Sequence, residues 1–236
     1  MKILAIDSSA VTASVALTED GKILGEYFLN TGLTHSETLM PMIASVFRCV
    51  KISPSDIDLF AVSSGPGSFT GIRIGIASIK GLAMPFQTPC AGVSTLEAIA
   101  HNLEHLDCLV CAVMDARCGQ VYNALFRAKK GRLERLTPDR AIAIQDLAEE
   151  CLTFAEPLYL AGDGAKLCMN AEPFQTVGAV LPPEALIYQR ARGVAKAAET
   201  AERENRTVSP AALMPFYLRP AQAERSLKKR IGGKQT

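Results

Sequence analysis

Three groups of residues have types and spacings that fit chemistry. His101 and His105 stand one helical turn apart, the separation at which two imidazoles can face one metal ion. Cys108 and Cys111 form a C-x-x-C, a spacing that serves metal ligation and disulfide formation. His35 lies beside Ser36 and Glu37, which raises a Ser/His/acid arrangement. Each loses force in its surroundings. The cysteines sit in the apolar run 107–114, which reads as a strand, and residues three apart on a strand face opposite sides, so buried structural thiols are expected. The histidine pair has no evident third ligand and reads as the exposed polar face of a helix. His35 has no accompanying nucleophile motif and sits at a helix start, Thr34-His35-Ser36-Glu37, which fits a capping box.

The stretch that organises the chain is 63–84, containing Ser64-Gly65-Pro66-Gly67-Ser68-Phe69-Thr70-Gly71-Ile72-Arg73-Ile74-Gly75. The apolar run Leu59-Phe60-Ala61-Val62 before it reads as a buried strand, the Gly-Pro-Gly forces a sharp turn, and a helix is expected from near Thr70 to Met84. Ile72, Ile76, Ile79 and Ala83 make one apolar stripe on that helix. Gly71, Gly75, Ser78 and Leu82 make a second stripe of mostly small residues, and only Arg73 and Lys80 are charged. Glycine within a helix costs about 1 kcal/mol relative to alanine, so its recurrence argues for close backbone approach. A helix apolar nearly all round needs two covers. The second is either this chain's own structure or another protein.

The elements around this stretch form an α/β pattern. Lys2 to Ile6 is a strand ending at Asp7; after the small turn Ser8-Ser9-Ala10 its hairpin partner follows at 13–18, and Asp20-Gly21 leads into a third strand at 23–29. A helix to about Val50 carries Leu39, Ile43, Val46 and Val50 on one face, with Pro41 bending it or marking its true start. A short strand near 90–93 precedes a helix from Ser94 through His105. The order then begins again: a strand at 109–114 ending in Asp115, a polar turn and a returning strand at 120–126, a weak internal repeat of strand, Asp, turn and strand. A helix near 145–152, a strand at 157–161, the turn Gly162-Asp163-Gly164 and an amphipathic helix lined by Ile187, Ala191, Val194 and Ala198 complete it. The division expected is a first lobe at 1–105, a reduced second lobe at 106–218 and a basic tail at 219–236. That tail, with Arg219, Arg225, Lys228, Lys229, Arg230 and Lys234 against Glu224, is expected to be a solvated, disordered end.

Composition excludes several classes. With 48% hydrophobic and 21% charged among 236 residues, the chain can build a sizeable core, and a net charge of +1 gives no overall attraction to nucleic acid or an anionic membrane. Seven scattered cysteines point to reduced thiols and a cytoplasmic setting. The apolar start meets Asp7 too soon for a signal peptide or a membrane span.

The glycine-rich run, the opening Ile6-Asp7-Ser8-Ser9, His35-Ser36-Glu37, Asp115-Ala116-Arg117 with Gln120-Val121-Tyr122, and Pro215-Phe216-Tyr217-Leu218-Arg219 together resemble the TsaB (YeaZ) family, from residue 3 to about 219. The resemblance implies a two-lobed actin-like, sugar kinase and Hsp70 (ASKHA) fold with duplicated RNase H-like lobes. It implies a non-catalytic subunit of the complex that makes threonylcarbamoyladenosine in transfer RNA, a heterodimer with the paralogue TsaD, association with the ATPase TsaE, self-association as a homodimer when alone, and contact with tRNA through the complex. The partner interface it implies lies on the first-lobe helices, at Leu39, Ile43, Phe69, Gly71, Ile72, Arg73, Gly75, Ile76, Ser78, Ile79 and Leu82.

In the implied fold the first hairpin cups nucleotide phosphates, which makes Asp7, Ser8, Ser9, Asp115, Gly162 and Gly164 a vestigial nucleotide site at most. Ser8, Ser9 and Ala10 occupy the turn where ATPases of the fold have glycines that let backbone amides reach phosphate. TsaD-like proteins place two histidines one helical turn apart on their catalytic metal; the matching run Gly92-Val93-Ser94-Thr95-Leu96-Glu97-Ala98-Ile99 puts Thr95 and Ile99 there. No metal, no cofactor and no catalytic residue are therefore expected on this chain, with ATP and metal on the partner subunits. Two other readings stay open: an ATP-dependent small-molecule kinase using Asp7 and Asp115, against which Arg117 counts by neutralising Asp115, and a metallopeptidase-like hydrolase, against which Thr95 and Ile99 count.

Overall fold

The computed structural model describes residues 1–219. It contains two five-stranded sheets. In the first, β1 (Lys2–Asp7), β2 (Ala13–Glu19), β3 (Lys22–Leu29), β4 (Leu59–Gly65) and β5 (Cys90–Ser94) take the order β3-β2-β1-β4-β5. β1 pairs antiparallel with β2, Asp7 opposite Ser14, and parallel with β4, Ile6 opposite Val62. The second sheet repeats this. β6 (Cys108–Asp115) pairs antiparallel with β7 (Gln120–Lys129), Asp115 opposite Val121, and parallel with β10 (Leu158–Ala161). β8 (Arg132–Arg135) and β9 (Arg140–Ala143) both pair with β7. The repeat of strand, Asp, turn and strand is therefore one structural unit used twice.

Central strands here are apolar on both sides because both faces of each sheet are covered. On one face of the first sheet, Ile6, Val15, Phe60 and Val62 pack against α1 (His35–Val50) and α2 (Phe69–Ala83). On the other, Ile3, Ala5, Ala16 and Ala61 pack against the alanine stripe of α7 (Ala191–Arg203). The second sheet receives α4 (Ile144–Cys151) and α5 (Ala165–Met169) on one face and α3 (Thr95–Ala100) on the other; α6 (Glu184–Ile187) is a single turn before α7. Gly193 of α7 is pressed onto α3: a Cβ there would stand 2.1 Å from the Ala98 carbonyl oxygen. Thus α3 and α7 form a shared layer. The last helix among the described residues is a wall of the first sheet, so a division at residue 105 does not follow the packing.

Several local expectations change. The capping box is not formed: Thr34 makes no side-chain cap bond and its hydroxyl instead meets Ser36 Oγ at 3.3 Å. α1 runs through Pro41 without a break. α3 stops at Ala100, so His101 and His105 do not share a helix. Both approach Glu104, His101 Nδ1 at 2.6 Å and His105 Nε2 at 3.5 Å, and only His105 is exposed. Cys108 and Cys111 are buried and belong to opposite faces of the second sheet, as strand geometry requires.

The largest correction concerns the first-lobe helices. Leu39, Ile43, Ile72, Ile76 and Ile79 lie in the chain's own core, and Gly71 and Gly75 are buried against the turn after β1. Their spacing marks the inward side of α1 and α2, so none of the seven offers surface to a partner. Phe69, Ser78 and Leu82 are half-buried and Arg73 is exposed.

Candidate functional site

The turn joining β1 to β2 is sealed by the glycine-rich stretch. Ser8 Oγ donates to the Gly71 carbonyl at 2.9 Å, Ser68 N donates to the Ser9 carbonyl at 2.6 Å, and His35 Nε2 lies 2.7 Å from the Ala10 carbonyl. Contact is close enough to demand glycine. A Cβ on Gly71 would lie 2.0 Å from the Ser8 carbonyl oxygen, and one on Gly67, at φ 155°, would lie 2.3 Å from that of Ser9. What the small residues of α2 admit is this chain's own first turn.

Asp7 sits behind that turn with no solvent exposure. Its Oδ1 accepts from Ser9 N at 2.9 Å and Ser9 Oγ at 2.8 Å, and its Oδ2 accepts from Ser63 Oγ. Burial pushes the carboxyl above its ordinary range, partly opposed by the bonds from Ser63 and Ser9. Ser8 and Ser9 are equally enclosed. The serine side chains fill the turn, and the Ser9 amide already serves Asp7. His35 acts as a pin between α1 and the turn.

The two hairpins flank a cleft of about 660 Å³ between the lobes. At its floor stands Asp115, whose Oδ1 accepts from Arg117 N at 2.7 Å and whose Oδ2 lies 3.4 Å from Arg117 Nη1. Asp163 also lines the cleft, close enough to feel the Asp115 charge. Burial and the neighbouring Asp115 charge together push the Asp163 carboxyl up to about 6. Gly162 and Gly164 do not line the cleft. Their Cα atoms press on the end of β6, where added Cβ atoms would meet the Val113 oxygen at 2.0 Å and the Met114 carbonyl carbon at 2.9 Å. Their composition answers to that packing rather than to an adenosine. Thr95 and Ile99 have no exposure at all, and among the described residues no group of three His, Cys, Asp or Glu is arranged to hold a metal ion.

The C-terminal segment runs from the edge of the first sheet to the cleft, where Phe216, Tyr217, Leu218 and Arg219 form part of the lining. Val208 forms a bridge with Cys90 at the edge of the first sheet, Lys80 Nζ reaches the Ala211 carbonyl at 3.0 Å, and Phe216 N donates to Ser64 O at 2.7 Å. Arg219 then donates from Nη1 to Ala116 O at 3.0 Å and from Nη2 to Gln120 Oε1, in the second lobe. Arg219 is thus a structural tie between lobes; the basic residues at 225–234 lie outside the described residues. Phe69 and Tyr217 stack at 4.7 Å, and the Arg73 guanidinium lies 3.8 Å from the Phe69 ring centre with its Nε donating to Tyr217 Oη at 2.9 Å. Asp163 and Tyr217 entered the sequence reading only as members of the runs 162–164 and 215–219, with no role of their own; the pairing of Tyr217 with a helical Arg is visible only in space.

The outward side of α1 and α2 sets exposed small and apolar residues among the charged Glu37, Arg48 and Arg73. Met40, Pro41 and Ala44 are exposed on α1, and Ala77 and Gly81 on α2, with Met84 just beyond; Met40 and Met84 are 45% and 41% exposed. Exposed apolar residues gathered on one face of a helix pair are a candidate interaction surface.

Comparison with known proteins adds sequence and fold evidence. The family model described as "TsaD: tRNA N6-adenosine threonylcarbamoyltransferase" matches residues 29–223. The tRNA threonylcarbamoyladenosine biosynthesis protein TsaB of Bacillus subtilis (strain 168) is 34% identical over 226 residues, covering 95% of this chain and 96% of that protein. The protein of the same name from Escherichia coli (strain K12) is 39% identical over 129 residues, 54% of this chain and 55% of that one. Among solved structures, YeaZ from Pseudomonas aeruginosa superimposes with a TM-score of 0.77 at 26% identity, over 92% of this chain and 99% of that one. The ethanolamine utilization protein EutJ from Carboxydothermus hydrogenoformans shares the fold alone, with a TM-score of 0.50 at 14% identity over 84% of this chain and 90% of that one. The fold is the two-lobed ASKHA type with duplicated lobes.

Proposed function

The chain belongs to the TsaB family, and on that premise we propose that it acts in threonylcarbamoyladenosine biosynthesis as a non-catalytic scaffold subunit that binds and activates TsaD. The observation that carries the reading is the outward side of α1 and α2, where Met40, Pro41, Ala44, Ala77 and Gly81 leave an apolar helical surface open while the inward side is fully used by the first core. The family model for TsaD aligns with this chain across both helices. A TsaD partner would accordingly bring a matching helix pair, and two such pairs pack as a small helical bundle.

The catalytic metal and ATP belong in this reading to the partner subunits, TsaD and the ATPase TsaE, and tRNA is reached through the complex. The enclosure of Asp7, Ser8 and Ser9 and the burial of Thr95 and Ile99 support that division of labour. The chain's contribution is to cover apolar surface and favour the competent conformation of TsaD, which requires only that it bind that conformation better than others. In the absence of TsaD the same surface supports a homodimer. The setting is cytoplasmic; no helix among the described residues is long and apolar enough to cross a membrane.

The test is co-purification with TsaD followed by nucleoside analysis of tRNA modified with each subunit omitted in turn. Modification is expected to fall when this chain is left out and to return when it is restored. Full modification without it, or steady ATP turnover by the chain alone, would overturn the proposal.

A further inference from the structure

We infer that Arg73 is a preformed receptor for a carboxylate on the docking partner, so that the outward side of α1 and α2 selects an acidic surface on a different protein over a second copy of this chain. The inference rests on the docking surface proposed above and adds its chemical selectivity.

The geometry of Arg73 carries the first half. Its guanidinium is held by the Phe69 ring at 3.8 Å and the Tyr217 ring at 5.9 Å, which stack on each other at 4.7 Å with 25° between their planes. Tyr217 Oη takes the Nε hydrogen at 2.9 Å, the only hydrogen bond Arg73 makes among the described residues. The side chain is exposed, yet its orientation is fixed by two aromatic rings and one hydroxyl. The remaining N–H groups form a planar fork, which matches a carboxylate in bidentate geometry. Holding the fork in place beforehand removes much of the ordering penalty that a free arginine meets on binding.

The charge of the surface carries the second half. α1 and α2 together hold Arg48, Arg73 and Lys80, with Glu37 as their only carboxylate. In a two-fold dimer the same patch meets itself, so cations would face cations with one glutamate per copy to offset them. A partner with Asp or Glu opposite Arg73 meets no such repulsion. Charge complementarity of this kind governs the choice of partner and the rate of encounter more than total affinity.

The test measures binding of the full chain to cognate TsaD, and of the chain to itself, by calorimetry and light scattering at low and high salt. The variants are Arg73→Gln, Arg73→Lys, Tyr217→Phe and Ala77→Arg. Wild type is expected to bind TsaD and Ala77→Arg to lose binding. Arg73→Gln should weaken TsaD binding about tenfold or more at low salt and flatten its salt dependence, Arg73→Lys should fall between, and Tyr217→Phe should lose a few-fold by loosening the fork. Self-association should be unchanged or strengthened by Arg73→Gln. If Ala77→Arg abolishes binding while Arg73→Gln binds as wild type, the receptor role is overturned and the docking surface stands. If wild type does not bind TsaD, or Ala77→Arg binds equally well, both fail together. Equal weakening of the homodimer by Arg73→Gln also overturns the selection of an acidic protein partner.

Discussion

The carbonyl oxygen of Ser8 lies 2.0 Å from the point where a Cβ on Gly71 would stand. A backbone atom cannot step aside as a side-chain end can, so Gly71→Ala should destabilise the chain by about 1–3 kcal/mol or more through overpacking. Gly81, on the same helix, has nothing within 4 Å of its Cβ position, and Gly81→Ala should stabilise by about 0.5–1 kcal/mol. Urea denaturation of the two variants is expected to give shifts of opposite sign. A neutral Gly71→Ala would show that the turn after β1 is not held against α2 as described.

Asp163 should titrate near pH 6, and Asp115→Asn should lower that value by removing the neighbouring charge. Below the ordinary aspartate value both folded and unfolded states hold the proton. Between that value and about 6 only the folded state does, so stability declines as pH rises through this window and levels above it. Asp163→Asn should remove that part of the slope. Carboxyl carbon chemical shifts and denaturation curves across pH 3.5–7 on the order of half-unit steps check both statements.

Gly75 and Ala77 separate folding from docking. Gly75 faces Ser8 Oγ at 2.7 Å and Val62 Cγ2 at 3.1 Å from its Cβ position, so Gly75→Leu should damage the first core rather than uncouple a partner. Ala77 is exposed, and Ala77→Arg should keep the thermal midpoint within a few degrees while abolishing association with TsaD. Circular dichroism melts beside light scattering distinguish the two. A folded Gly75→Leu protein that fails to dock would reverse this assignment.

Arg219 ties the chain's C-terminal segment to the second lobe through Ala116 and Gln120. Arg219→Ala should lower global stability by on the order of 1 kcal/mol and raise hydrogen exchange selectively at 211–219. Unchanged exchange at the Phe216 amide would mean that its bond to Ser64 O holds the segment without help from Arg219.

Much of this architecture was readable from residue pattern, for identifiable reasons. β1, β4 and β6 open as apolar runs and close on Asp or Gly, and the recurrence of strand, Asp and polar turn at Asp7 and Asp115 announced the duplicated unit. β8 and β9 were missed because each is only four residues long, too short for a periodicity to show, and β8 is mostly charged. The glycines of α2 reported that some backbone comes close, but spacing alone cannot say whose, and it is that of Ser8. The alanine stripe of α7 likewise revealed a buried face without naming the sheet it covers. Of the cleft, Asp115 was visible as a strand-ending carboxylate, whereas Asp163 and Tyr217 acquire meaning only from neighbours far away in the chain.

The position of α7 bears on how the molecule is made. As the polypeptide leaves the ribosome, β1 to β5 emerge long before Ala191–Arg203, and until then Ile3, Ala5, Ala16 and Ala61 have no permanent lid. The nascent first sheet must wait, half-dressed, while the whole second sheet is made. The first sheet is therefore covered on both faces only once the strand-side alanines of α7 arrive, and translation stalled before that helix would leave a fragment with one greasy face bare.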